Sequence, residues 1–462
     1  MVPTLLRTYY LLPNNFAVGV KGGIDVITTT VRLAVDKFIS GPESRGQVPT
    51  RALVSLDIKN MFNAISRETL RHIISESFPH LENFADLLYD SFGKTAVKMD
   101  DGTWRYIPVQ EGFAQGCPIS PIFAAIVLQH ILKKVEADLG PEATARLSLL
   151  NPSATDDGLG GLMLLLAYVD DVNCVLPLKD VSLFLESFKR HGESLGAVMN
   201  REKTRILTST SNMKVTERLR KRDGPGDEQL AKLLEETIAT FSLKQEDGKL
   251  VPHEVTDGLR VLGVPIGSPD YCRNFVRKTL DVAKLHAAKV LSGLESDQTK
   301  LQLYKSCIAH KLTHLFASDV VNRKDQYPTA WENWDSEFCD DFDDMTNDFL
   351  ACLTRQTELP LHSTLISTTA TQHGGLGIQS PRCTAVPTFV LTIKRCIGYI
   401  KSGVWTGQYS DSVPLPKSIT SLYDRWDMSP SKTFRIFNLY WRDIASECVS
   451  ARVPDHFGFF LH

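Results

Sequence analysis

The sequence predicts an α+β fold organised around an antiparallel sheet, and three observations carry that reading. Between Leu53 and about Leu207, short apolar strands alternate with helical patterns. Two adjacent apolar runs, Leu162–Val169 and Val172–Leu176, are separated only by Asp170-Asp171, the pattern of a strand that turns and comes straight back. Beyond the Leu259–Gly267 stretch the strand signal fades, and long amphipathic patterns through Phe275, Val276, Leu280, Val290 and Leu291 mark a separate helical module.

Each element has its own local reason. Leu53-Val-Ser-Leu-Asp57 is apolar and β-prone and ends in a carboxylate, so it reads as a strand. Lys94–Met99 and Thr103–Val109 flank Asp100-Asp101-Gly102, whose Asp-Gly supplies positive φ, and together they predict a hairpin. Ser120 can N-cap a helix with Pro121 at its first position, and Ile119, Ile122, Phe123, Ile126, Val127 and Ile131 recur at helical spacing. The uninterrupted apolar run Leu162–Val169 reads as a strand buried on both faces. From Thr210 to Gly258 the composition turns polar and includes the basic cluster Arg218–Arg222, the mark of a surface insertion.

Composition narrows the class of protein. At 462 residues with 43% hydrophobic side chains, the chain can bury a large core. No apolar run approaches the roughly 18 residues of a spanning helix, and the N-terminus lacks the order of a signal peptide, so no membrane association is expected. Nine cysteines without a CxxC pair read as reduced thiols of an intracellular protein, nuclear or cytoplasmic. The net charge of −3 is unusual for a protein that binds a polyanion. Much of the negative charge, however, falls between Trp331 and Phe349, where eight carboxylates stand without a Lys or Arg. The apolar residues of that segment recur every three to four positions, so its acidic side is expected to face away from any nucleic acid.

Three carboxylates at strand ends suit one chemistry in particular. In-line phosphoryl transfer uses two Mg²⁺ ions about 3.5–4 Å apart, each content with hard oxygen ligands and several waters. Asp57 at one strand end and Asp170-Asp171 in a tight turn would converge if their strands lay side by side. The other Asp-Asp pairs, such as Asp100-Asp101 and Asp340-Asp341, have ordinary turn or surface explanations.

Several blocks in order resemble the reverse transcriptase family, of the non-LTR retrotransposon type. Ser55-Leu-Asp57-Ile-Lys-Asn-Met-Phe62 resembles its first carboxylate motif, and Gly112-Phe-Ala-Gln115-Gly116-Cys-Pro118-Ile-Ser120-Pro121 its Gln-Gly block. Tyr168-Val-Asp-Asp171 is similar to its Tyr-x-Asp-Asp box. Leu195-Gly196 through Asn200-Arg-Glu-Lys203-Thr204, then Leu262-Gly263 with Ile266-Gly267, resemble the segments that follow. Leu12-Pro13 to Gly22-Gly23 and His373-Gly-Gly-Leu-Gly377 resemble flanking stretches of retrotransposon-like members.

The resemblance implies a right-hand polymerase with an antiparallel-sheet palm, partial fingers and a helical thumb. It implies partial fingers over 1–52, a palm with interleaved fingers over 53–267 carrying the insertion at 210–258, a thumb over 268–355 and a C-terminal helical extension over 356–462. Asp57, Asp170 and Asp171 would hold two Mg²⁺ ions, with the Ile58 carbonyl as a further ligand. Phe62 would exclude a 2′-hydroxyl, Gln115 and Gly116 would line the nucleotide pocket, and Lys203 would assist departure of pyrophosphate. The implied partners are deoxynucleoside triphosphates and an RNA or DNA template with its primer. Arg273, Arg277 and Lys284, at i, i+4 and i+11 of the helix after Ser268-Pro269, are the candidate backbone contacts, and an ordinary solvated helix face accounts for them equally well.

Rival patterns are weaker. Gly192-Glu-Ser194-Leu-Gly196 imitates a serine-hydrolase elbow, but that chemistry needs a strand-to-helix turn, whereas Val181, Phe184, Leu185 and Phe188 put Ser194 at a helix end. Gly93-Lys94-Thr95 lacks the leading Gly of a phosphate loop, and His310 with His314 lacks the Glu of a metalloprotease helix. The non-enzymatic alternative is a degenerate, weakly active or inactive element remnant that only binds nucleic acid. With only Met1 to Leu11 before the Leu12–Gly23 block, the expectation is that the fingers are cut short and the triphosphate clamp incomplete.

Overall fold

The computed structural model describes residues 10–35 (except 13), 39, 51–89, 93–109, 111–140, 164–207, 258–316 and 337–369, with short pieces within 232–251 and 371–399. Arg7, the Arg218–Arg222 cluster, Trp331, Trp334, His373 and the stretch 400–462 lie outside the described residues. The chain divides after Leu262 into two compact units.

The first unit carries helix α1 (Gly23–Val35), strand β1 (Arg51–Leu56), helices α2 (Met61–Ala64), α3 (Arg67–Ser77) and α4 (Glu82–Tyr89), and strands β2 (Gly93–Lys98) and β3 (Trp104–Val109). It continues with α5 (Ser120–Leu139), β4 (Leu164–Tyr168), β5 (Asp171–Pro177), α6 (Val181–Glu193), β6 (Arg205–Leu207) and β7 (Gly258–Val261). Four strands form one sheet in the order β4-β5-β1-β6, antiparallel throughout. The fold is thus the α+β, antiparallel-sheet arrangement that the alternation of elements predicts.

Both faces of the sheet are covered, which is why its strands read as near-continuous apolar runs. Ala52, Val54 and Leu56 of β1 join Leu165, Ala167, Val172 and Cys174 in one core with the apolar faces of α5 and α6. On the other face α1 packs against β4 and β5. The segment at 14–16 runs along the β4 edge: Ala167 donates its N–H to the Asn14 carbonyl at 2.8 Å, and Phe16 donates to the Ala167 carbonyl at 2.9 Å. The Asn14 side chain continues inward, donating to Glu136 at 2.9 Å and accepting from Gln129 at 3.0 Å.

The expected Asp-Gly hairpin forms as β2 and β3, with Gly102 at φ 81° in its turn. One local expectation is corrected at α5. Ile119 occupies the N-cap position without a side-chain cap, and Ser120 is already the first helical residue. Its hydroxyl is spent elsewhere, donating to the Ala114 carbonyl at 2.7 Å and lying 2.6 Å from the Tyr89 hydroxyl. Ser194 sits at the C-terminal cap of α6, as its apolar stripe predicts, and not on a strand-to-helix turn.

The second unit contains β8 (Val264–Gly267), α7 (Pro269–Gly293), α8 (Asp297–Leu303), a π-helical turn at Tyr304–Ile308, α9 (Thr313–Phe316), α10 (Glu337–Thr354) and α11 (Leu361–Thr368). Ser268 caps α7, accepting the Tyr271 N–H at 3.1 Å, with Pro269 in the first turn. Val276, Leu280 and Ala283 of α7 share a core with Phe338, Phe342, Met345 and Phe349, the apolar face of the acidic helix α10. Tyr304 stacks on Phe349 with ring centroids 4.1 Å apart, and its hydroxyl meets Thr346 at 2.8 Å. Among the described residues no helix is long and apolar enough to cross a membrane. The described cysteines, from Cys117 to Cys396, are free thiols.

Candidate active site

The site is built at the ends of β1, β4 and β5. The register of β1 on β5 pairs Leu56 with Val172, so one further step sets Asp57 opposite Asp171. Tyr168 pairs with Asp171 across the β4–β5 hairpin, leaving Val169-Asp170 as its two-residue turn. Val169 has φ 56°, a conformation that a β-branched residue adopts only when its surroundings force it. That turn folds Asp170 and Asp171 back towards Asp57.

On the other side of Asp57, the Met199 segment closes the site. Asn200 donates its N–H to the Asp57 carbonyl at 2.8 Å, and Lys59 donates to the Val198 carbonyl at 2.8 Å, forming a bridge between Ile58 and Met199. These bonds flank Ile58, so by antiparallel alternation its own carbonyl faces away from that segment, towards the β5 side. The turn after Asn200 then brings Lys203 Nζ to 3.9 Å from Asp57 Oδ2.

Phe62 lies half-buried on the one-turn helix α2, and glycines let other segments press against that helix. A Cβ on Gly196, at φ 81°, would meet the Ala64 carbonyl oxygen at 1.8 Å, and one on Gly112, at φ 72°, would meet Asn63 at 2.5 Å. Phe113 donates its N–H to the Phe62 carbonyl at 2.5 Å, which ties the Gln115-Gly116 loop to the same turn. Gln115 and Gly116 are exposed. Nothing lies within 4 Å of a Cβ built on Gly116, so its glycine answers the φ of 86° rather than crowding by the protein.

Electrostatics couple Asp170 and Asp171 to Asp57. Asp170 is raised above its usual range, first by burial and then by the charge of Asp57, with its own backbone amide and Lys203 opposing. Burial, Asp170 and Asp57 push Asp171 up to about 6, against the opposing charges of Arg260 and Lys203. Asp171 is exposed to solvent, yet loss of hydration is the largest cause of its raised carboxyl.

Hard oxygen donors that repel one another fit a divalent cation, which would relieve that repulsion. The convergence expected from the sequence is incomplete, however: among the described residues no three acidic, His or Cys side chains stand at metal-holding distance. The charges of Asp57 and Asp170 act on Asp171, and Lys203 Nζ lies 3.9 Å from Asp57 Oδ2. Arg260 on β7 is a contributor that sequence reasoning missed, since the motif residues of Leu259–Gly267 are Leu262-Gly263 and Ile266-Gly267 and do not include it.

In the second unit, Arg273, Arg277 and Lys284 all lie on α7. Arg273 reaches Asp270 at 4.0 Å, and the Arg277 guanidinium sits 5.9 Å from the centre of the Phe338 ring. Lys284 is exposed.

Telomerase from Candida albicans, solved in complex with a TWJ fragment of telomeric RNA, is similar at a TM-score of 0.38 and 12% identity, over 95% of this chain and 55% of that one. Apo telomerase from Candida tropicalis is similar at a TM-score of 0.36 and 11% identity, over 91% of this chain and 58% of that one. The chain therefore spans little more than half the length of either telomerase. Curated protein sequences give no significant match. Residues 37–266, which hold Asp57, the Gln115-Gly116 loop, Asp170, Asp171 and Lys203, match the family model described as reverse transcriptase (RNA-dependent DNA polymerase).

Proposed function

We propose that the chain synthesises DNA from deoxynucleoside triphosphates on an RNA template by two-metal phosphoryl transfer, as a reverse transcriptase of the non-LTR retrotransposon type. The observation that carries this reading is the β1–β5 register, which aligns Asp57 with Asp171 beside the Asp170 turn. Like charges directly opposite in a sheet are destabilising, so three carboxylates at one sheet edge are better explained by a cation than by the fold. The RNA template follows from the description of the matching family. The retrotransposon type rests on the Leu12–Gly23 and Gly374–Gly377 stretches.

Asp57, Asp170 and Asp171 would hold two Mg²⁺ ions, with the Ile58 carbonyl a further oxygen on the same side. Bound there, the pair supplies activation of a primer 3′-oxygen and neutralisation of charge on the triphosphate. The protein's own groups do the positioning. The Phe62 ring, on a turn whose backbone Phe113 bonds and Gly112 and Gly196 approach closely, sets the floor beneath the incoming sugar and crowds a 2′-hydroxyl. The exposed Gln115-Gly116 turn offers backbone and amide groups to the nucleotide. Lys203, tethered through Asn200 to Asp57, supplies a mobile positive charge for departing pyrophosphate. Arg273, Arg277 and Lys284 give the helical unit cations for a phosphate backbone.

The test is primer extension with Mg²⁺ on matched RNA and DNA templates, comparing the wild type with Asp57→Asn. Extension that the variant loses while still binding template supports the reading. Equal extension by both proteins removes Asp57 from catalysis. RNA binding with no extension by either protein favours the non-enzymatic alternative.

A further inference from the structure

The β2–β3 hairpin is an arm with most of its two faces in solvent. An isolated two-stranded hairpin is marginally stable, and one that exposes large aromatic side chains has surface to spare for a partner. Trp104 is 59% exposed, Tyr106 69% and Ile107 51%. None of these residues serves the chemistry described above.

The register sorts the side chains by face. Lys98 pairs with Trp104, Ala96 with Tyr106 and Lys94 with Pro108, so these six residues share one side of the hairpin. Two aromatic rings stand two residues apart along β3, about 7 Å. Lysines lie at both ends of the opposing strand, and the small Ala96 faces Tyr106. No acidic residue falls within either strand; Asp100 and Asp101 are confined to the tip. There Asp101 Oδ1 accepts from the Thr103 N–H at 2.9 Å and from its hydroxyl at 2.6 Å.

The arm is fixed at its root. Arg67 donates to the carbonyls of Val109 and Gly112, each at 2.8 Å, and its guanidinium lies 5.2 Å from the centre of the Tyr89 ring. Gly112 in turn donates to Ile65 at 2.8 Å, on the chain that continues through Phe113 to the Gln115-Gly116 loop. The root of the arm is therefore hydrogen-bonded to the segment that carries Phe62.

We propose that the Lys94–Lys98–Trp104–Tyr106 face is a stacking platform for single-stranded RNA, the unpaired part of a template. Bases of any sequence can lie on the two rings, and the lysines complement the phosphates beside them. The charge favours a polyanion over an apolar protein surface. RNA is the occupant because the family that matches this segment is RNA-dependent. The inference rests on the polymerase reading, and its test separates the two.

The experiment measures anisotropy of a labelled primer annealed to RNA, either blunt or with a long unpaired template extension, using the full chain. Trp104→Ala and Tyr106→Ala should each raise Kd for the extended substrate about tenfold, and leave the blunt substrate within about twofold. Trp104→Phe should restore most of the affinity. Lys98→Ala should lower the salt slope of binding by about one. Unchanged circular dichroism and melting of the variants establish that the fold is kept. Asp170→Asn should lose extension yet keep the preference for the extended substrate. If wild-type protein extends primers while Trp104→Ala binds both substrates as wild type does, the platform is wrong and the polymerase reading stands. Equal losses on both substrates also overturn it. So does self-association at micromolar concentration that Trp104→Ala abolishes, which would give the face to a second copy of the chain. Trp104-dependent RNA binding without any extension keeps the platform and removes the polymerase reading.

Discussion

Replacing Asp171 by Asn should stabilise the metal-free protein at neutral pH while removing its function. Burial together with the charges of Asp170 and Asp57 lifts the Asp171 carboxyl from 3.8 to about 6. A rise of that size makes ionisation in the folded state unfavourable by roughly 3 kcal/mol, at about 1.4 kcal/mol for each tenfold change in proton affinity. Asp171 is open to solvent on one side, and screening reduces the figure to roughly 1–2 kcal/mol. The sign is that of a carboxyl raised on folding. Below pH 3.8 it is protonated in both states and costs nothing. Between pH 3.8 and about 6 the folded state binds more protons, so stability falls as pH rises; above about 6 the whole penalty is present. Urea titrations in EDTA should therefore show Asp171→Asn more stable than wild type at about pH 8, with the gap closing as the pH falls to about 4. Added Mg²⁺ should stabilise the wild type and do much less for the variant, because ligand binding to the folded state adds stability by mass action. An Asn variant that is less stable at that alkaline pH, or a gap that does not change with pH, would refute the picture of three mutually repelling carboxylates.

Other outcomes follow from the same geometry. Asp170→Asn should cut primer extension by at least about 10²–10³-fold while template binding survives, measured by single-turnover kinetics beside anisotropy. Phe62→Val should raise ribonucleotide over deoxynucleotide incorporation by about tenfold, equivalent to roughly 1.4 kcal/mol of relieved crowding; an unmoved ratio leaves Phe62 as packing only. Gly196→Ala places a Cβ 1.8 Å from the Ala64 carbonyl oxygen at φ 81°, and should cost roughly 2–4 kcal/mol in urea unfolding.

Much of this architecture was written locally. The β2–β3 hairpin was legible because Asp-Gly fixes its turn, and Tyr168-Val-Asp-Asp171 because an apolar strand enters a two-residue reversal. The α10 face was legible from aromatic spacing alone. What local pattern does not contain is the pairing of β1 with β5, a contact between residues more than a hundred positions apart in the chain. The order of the blocks, through their resemblance to a family, supplied that step. Ser120 does not cap its helix because its competing partners, Ala114 and Tyr89, are brought to it by the fold. Arg260 is not legible for the same reason: its relevance lies in the field at Asp171, which no spacing reveals. The incomplete convergence of the carboxylates is likewise something a motif does not encode.

The most direct measurement is single-nucleotide addition to a primer on an RNA template, with each of the four deoxynucleoside triphosphates supplied alone in Mg²⁺. The expected result is addition of the complementary nucleotide only, lost in Asp57→Asn, Asp170→Asn and Asp171→Asn alike. Addition that persists in those variants, or that ignores the template base, would contradict a template-directed site built on Asp57, Asp170 and Asp171.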